Sequence, residues 1–169
     1  KSVAHKISTN MPSAKIIFIL ADPVNRAISN YKFSVETGLE VRNIEDAFIS
    51  DVALDNSKYN TFVYPFDYKQ RGIYHQYLDY YYNYFPETSI RVITRETFIG
   101  NVSSIQSLYG FLNCHSSFIP ASLNKVINKS KKKISRESEI LVKKKLSEFY
   151  KKHNQILSEK YQIDIQKWQ

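Results

Sequence analysis

Apolar residues crowd between Lys15 and Leu20, give way to the turn Ala21-Asp22-Pro23, and then return every three or four residues. The first pattern predicts a short buried strand and the second an amphipathic helix. Asp22 can cap that helix through its side-chain oxygen, and Pro23 suits the first helical position, where no amide hydrogen is needed. At about 100° per residue, Val24, Ala27, Ile28, Tyr31 and Val35 share one face, while Asn25, Arg26, Ser29 and Phe33 share the opposite one. One face is set to pack and the other is free to bind. Gly38 ends the helix.

The rest of the chain reads as helices with one more strand. Lys1 to Pro12 has helical character and leaves through the turn N-M-P-S-A. Ile44 to Ile49 forms a short helix that carries Phe48 toward the core. Residues 50 to 69, rich in Asp, Asn, Ser, Tyr and Pro, show no period and read as a loop near a substrate entrance. From Arg71 to Phe85, Tyr74, Tyr77, Leu78, Tyr81 and Phe85 recur at helical spacing until Pro86 stops the pattern. A strand over Ile90 to Thr94 follows, then a helix carrying Val102, Ile105, Leu108, Tyr109 and Leu112. Near the end, Leu141, Leu146, Phe149, Tyr150 and Leu157 supply a packing stripe between lysines. The order predicts an α/β fold, helix-rich and with few strands for its length. No internal repeat or low-complexity segment is visible.

With 169 residues and 43% hydrophobic content, the chain is long enough for one domain, 1–169, with a sizeable core. No apolar run approaches the roughly 20 residues that span a bilayer, and KSVAHKISTN lacks a signal peptide's apolar region. Cys114 stands alone, which rules out an internal disulfide and suits a reducing cytoplasm, with a secretory or Golgi lumen left open. His5, His75, His115 and His153 are too scattered to predict a metal site. A net charge of +8 favours polyanionic partners: a nucleotide, an acidic glycan or nucleic acid. Lys129, Lys131, Lys132 and Lys133 read as a loop. Lys143, Lys144, Lys145, Lys151 and Lys152 read as a solvated helix face.

Chemistry concentrates in KIIFILADPVNRAISNY, residues 15 to 31. Free amides and the positive end of a helix dipole favour anions, and Arg26 and Ser29 add donors one to two turns in. On spacing alone, an ordinary strand followed by a helix with a solvated polar face is the better fit. The segment resembles the 3'-phosphate-binding motif of sulfotransferases that use 3'-phosphoadenosine 5'-phosphosulfate (PAPS), especially the bacterial and heparan-type branch. Asp22, Pro23, Val24, Arg26, Ala27, Ser29 and Tyr31 stand in the matching places. Arg71 to Phe98 is similar to a second family segment through Arg71, Gly72, Tyr74, Leu78, Phe85, Pro86, Ile90, Val92, Glu96 and Phe98. Asn128 to Leu157 resembles the closing pattern, a basic loop over the nucleotide followed by a helix with His153 and Asn154 in structural roles.

The resemblance implies a P-loop-NTPase-like α/β fold, a parallel sheet flanked by helices, and PAPS or its product PAP as cofactor without a metal. It implies that Ser29 binds the 3'-phosphate with Arg26 nearby, that Arg71 and Tyr74 lie near donor and acceptor, and that Lys131 and Lys133 sit in the covering loop. Two departures stand out: Ala21 replaces the arginine at the strand end, and Phe33 replaces a histidine of the heparan N-sulfotransferases. The lysine-bearing donor loop and the base belong upstream of Lys15 in the family, so no catalytic residue is assigned, and the chain corresponds to the C-terminal two-thirds of a catalytic domain. The expected function is sulfuryl transfer from PAPS to a hydroxyl or amine of a carbohydrate or small-molecule acceptor. The alternative is a non-catalytic module binding nucleotide or another polyanion; nucleic acid is not the expected partner.

Overall fold

A computed structural model of the chain describes residues 3–50, 64–123 and 133–168. Along it run helix α1 (Val3–Asn10), strand β1 (Ile16–Leu20), helices α2 (Pro23–Glu36) and α3 (Ile44–Phe48), a 3-10 turn (Gln70–Gly72), α4 (Tyr74–Tyr82), a second 3-10 turn (Glu87–Ser89), β2 (Ile90–Thr94), and α5 (Arg95–Phe98), α6 (Val102–Phe111) and α7 (Arg136–Tyr161). Among the described residues the chain divides into two compact units, one of residues 3–22, 74–123 and 156–168, the other of 23–50, 64–73 and 133–155.

The first unit holds the sheet. Strands β1 and β2 pair in parallel, with Ile16 opposite Ile90 and Leu20 opposite Thr94. Strand side chains alternate between faces. Accordingly Leu20 is buried and Phe18 packs beside it, while Ile19 between them is 59% exposed. Tyr74, Leu78, Leu157 and Ile163 complete this core, flanked by Val92, Tyr161, Ile165 and Trp168. Helix α1 packs on α4, and its His5 ring meets that of Tyr84, just beyond α4, at 5.3 Å.

The second unit is built on the apolar face of α2. Val24, Ala27, Ile28 and Tyr31 are buried against Ile44, Phe48, Phe66, Tyr68 and the Val142, Leu146 and Tyr150 stripe of α7. The opposite face of α2 is turned out at Asn25, Ser29 and Phe33. The helix closes as its glycine predicts. Gly38 adopts φ +74°, its amide donates to the Val35 carbonyl at 3.1 Å, and the Leu39 amide donates to Ser34 at 2.9 Å. Helix α7 begins after Ser135, whose hydroxyl oxygen accepts the Ser138 amide at 3.1 Å.

Four expectations are corrected. The pattern from Arg71 to Phe85 is not one helix: Arg71 lies in the 3-10 turn, Ile73 leaves the helical path at φ −83°, ψ 67°, and α4 covers only Tyr74–Tyr82. Tyr77 on that helix is 45% exposed rather than packed. In α7 the buried stripe runs through Val142, Leu146 and Tyr150 at four-residue intervals, which turns Leu141 outward at 41% exposure. The stretch read as an entrance loop supplies core instead, since Phe66 is 6% and Tyr68 1% exposed; residues 51–63 of it lie outside the described residues. Helix α5, between β2 and α6, has no counterpart in the sequence reading.

Candidate functional site

Because β1 and β2 are parallel and in register, Leu20 and Thr94 finish at the same end of the sheet. In open α/β sheets, ligands bind beyond the carboxyl ends of the strands. The residues that follow there are Ala21-Asp22 and Arg95-Glu96. Tyr74 Oη donates to the Ala21 carbonyl at 2.9 Å. One residue on, the Asp22 amide donates to Glu96 Oε1 at 3.3 Å. The other Glu96 oxygen accepts the Trp168 indole N–H at 3.0 Å, and Arg95 pairs with Oε1 at 3.2 Å. The Trp168 ring meets Tyr74 edge to face at 6.0 Å. Asp22 itself is 2% exposed. The backbone that leaves β1 is therefore held on two consecutive residues.

In the second unit, α2 packs on the Gln70–Gly72 turn. Arg26 Nη2 donates to the Tyr68 carbonyl, and Arg71 Nη2 donates to the Tyr64 carbonyl at 2.9 Å. Two guanidinium groups thus grip the same five-residue stretch. Each has a buried Nε that finds no acceptor among the described residues. Ser29 is exposed on the outer face of α2, and its hydroxyl makes no hydrogen bond to a described residue. Four residues further, Phe33 is 60% exposed. Lys133 is exposed, and Lys131 lies outside the described residues.

The second unit also holds a buried polar cluster. Glu40, 3% exposed, takes a 2.8 Å ion pair from Arg42 and a 3.0 Å hydrogen bond from the Tyr68 hydroxyl. The Tyr31 hydroxyl donates to the Arg42 carbonyl at 2.9 Å. Burial alone would raise the Glu40 carboxyl, but the hydrogen bonds from Arg42 and Tyr68 outweigh it and hold the group below the ordinary carboxylate range. Burial pushes the Tyr68 phenol well above its usual value. Gly72 packs against this unit's α7: a Cβ there would fall 2.6 Å from the Tyr150 hydroxyl, which donates to the Lys69 carbonyl at 2.7 Å.

Of the residues singled out in the sequence, Arg26, Ser29, Arg71 and Lys133 belong to the second unit and Tyr74 to the first. Arg71 and Tyr74 do not share a helix face, contrary to their spacing. A cleft of about 500 Å³ runs along β2, lined by residues such as Arg91, Thr94, Tyr161 and Gln162, and none of the singled-out residues borders it. The reading missed Glu96 and Trp168 as partners of the strand end. Glu96 carried a motif match but no role, and Trp168 carried no signal at all. The unpaired Arg26 and Arg71 Nε atoms are buried, and Ser29, on a 14-residue helix that starts two residues after the strand, bonds to no described residue. Ala21 places no cation at the end of β1.

A parallel β-pair whose first strand is followed two residues later by a helix defines an α/β protein. Residues 4–168 match the sulfotransferase domain family, and the chain belongs to it. Among solved structures, it is similar to that of a sulfotransferase from Alicyclobacillus acidocaldarius, with 20% sequence identity and a TM-score of 0.76. That likeness establishes the sulfotransferase fold. It covers 98% of this chain but 61% of the other, so the chain spans less than two-thirds of its structural neighbour. No curated protein matches the sequence. Among the described residues, no helix is long and apolar enough to cross a membrane.

Proposed function

We propose that this chain is a partial, P-loop-like sulfotransferase domain that holds the 3'-phosphate of PAPS and serves transfer of a sulfuryl group to a hydroxyl or amine of an acceptor, with a carbohydrate favoured. The observation that carries this reading is the order of β1 and α2, a strand paired in parallel followed two residues later by a helix whose Ser29 hydroxyl bonds to no described residue. The first turns of a helix offer free amides and a positive dipole end, and Ser29 adds a neutral donor. Arg26 and Arg71 each retain donors beyond the one given to a backbone carbonyl. Lys133, and Lys131 beside it in sequence, add charge that suits a polyanion. Tyr74 contributes by fixing the Ala21 carbonyl. PAPS, when bound, supplies the sulfuryl group. The lone, exposed Cys114 thiol is in keeping with a reducing compartment such as the cytoplasm.

Isothermal titration with PAP tests the reading. Micromolar-range binding that weakens about tenfold or more in Ser29→Ala supports it. The Ala21 departure favours a second reading, a degenerate module that binds polyanions through charge alone. Under that reading unrelated polyanions compete as well as PAP, affinity falls steeply with salt, and Ser29→Ala changes nothing.

A further inference from the structure

We propose that Glu96 and Trp168 form a latch that positions the strand-to-helix turn for the anion; this rests on the nucleotide reading above. Glu96 is a positioning residue here, and the nucleotide is held by others. The Asp22 amide, last before α2, is spent on Glu96 Oε1. It therefore holds the backbone at the end of β1 rather than meeting a ligand itself. Preorganised donors bind better than donors that must be ordered on binding.

Three features make the carboxylate suitable for this task. Its two oxygens take donors from opposite ends of the sequence, the Asp22 amide on one and the Trp168 indole on the other, so it cannot swing away without breaking both. Its charge, which would otherwise repel a phosphate, is offset by Arg95 at 3.2 Å and by the two N–H donors. Trp168 is in turn seated on Tyr74, which holds the neighbouring Ala21 carbonyl. The C-terminal segment thereby ties both backbone groups of the turn to one cluster.

The test compares PAP binding by calorimetry in wild type, Trp168→Phe, Glu96→Gln and Ser29→Ala, alongside thermal melting. Trp168→Phe keeps an aromatic ring against Tyr74 and removes only the indole donor. Glu96→Gln turns an amide N–H₂ toward one of two N–H groups. The latch predicts that both variants bind PAP about three- to tenfold more weakly while remaining folded at the assay temperature. Trp168 is the sole tryptophan, so PAP should change its emission in wild type and do so far less in Glu96→Gln. Lowered melting points with unchanged PAP affinity would reduce these residues to a structural role and overturn the proposal. If Glu96→Gln does not fold, Trp168→Phe alone decides. Wild type that fails to bind PAP sinks the nucleotide reading and the latch with it. Wild type that binds, with Ser29→Ala weakened and Trp168→Phe unaffected, sinks the latch alone.

Discussion

The Tyr74 hydroxyl, at the first residue of α4, donates to the carbonyl of Ala21 at 2.9 Å, directly beyond the end of β1. The same ring is 9% exposed and carries the Trp168 edge. Its two contributions separate by mutation. Tyr74→Phe keeps the packing and loses one hydrogen bond, so urea denaturation should show a loss of about 1 kcal/mol. Tyr74→Ala also empties a core position of the first unit and should cost about 3–5 kcal/mol. Equal losses in the two variants would mean that the hydroxyl, not the ring, is what this position supplies.

Gly72 is a glycine for want of space rather than for its backbone angles. A Cβ would meet three atoms of Tyr150 at 2.6–2.7 Å, and Tyr150 is fully buried with its hydroxyl on the Lys69 carbonyl. The ring has no free direction in which to retreat. Gly72→Ala should therefore destabilise the protein by about 1–3 kcal/mol, as overpacking does, in thermal or chaotrope melts. Gly110, where an added Cβ meets nothing within 4 Å, is the control: Gly110→Ala lies inside α6 and should be neutral or mildly stabilising.

The elements that the sequence disclosed are those with local signatures. The end of an apolar run and a proline mark Leu20 and Pro23 as the end of β1 and the start of α2, and β2 falls on the expected Ile90–Thr94. What stayed hidden depends on partners far along the chain. At the break at Gly72-Ile73, the lack of room for a side chain on Gly72 is set by the Tyr150 ring, 78 positions later. Phe66 and Tyr68 have no period of their own and are buried because α2 and α7 cover them. Helix geometry placed Ser29 on the open face of α2, as the structure has it, but it also placed Arg26 there, whereas Arg26 turns inward to the Tyr68 carbonyl with its Nε buried. Glu96 and Trp168 could not be read in this way, because their roles arise only where two strand ends and the C-terminal segment meet.

Glu40 should make the second unit acid-sensitive. Its carboxyl is held below the ordinary carboxylate value by Arg42 and Tyr68, although burial by itself would raise it. A depressed folded-state pKa means that the stabilisation is complete above the unfolded-state value and is lost as pH falls through the lower, folded-state one. Wild-type stability should thus decline below about pH 4.3. Glu40→Gln should be less stable at neutral pH, with a flatter acid limb. Arg42→Ala, which strands a buried carboxylate, should cost about 3–5 kcal/mol at neutral pH and recover part of that loss on acidification. Chemical denaturation of the three proteins between about pH 3 and 7 checks both trends.

Ala21 is where this chain parts from the resemblance, and it offers the sharpest gain-of-function test. The residue is half-buried, it directly follows Leu20 at the end of β1, and its carbonyl is already anchored by Tyr74. An arginine introduced there would extend from a fixed backbone. Guanidinium makes paired, charge-assisted bonds to phosphate oxygens, and a fixed base limits the entropy lost in forming them. Ala21→Arg should therefore tighten PAP binding by about tenfold at low ionic strength, with a smaller gain as salt rises. Adenosine 5'-phosphate, which lacks the 3'-phosphate, should gain much less. A variant that folds normally and binds PAP no better than wild type would put the phosphate elsewhere than at the turn leaving β1. A gain shared equally by both nucleotides would mean that the new cation acts on charge in general and reads no 3'-phosphate.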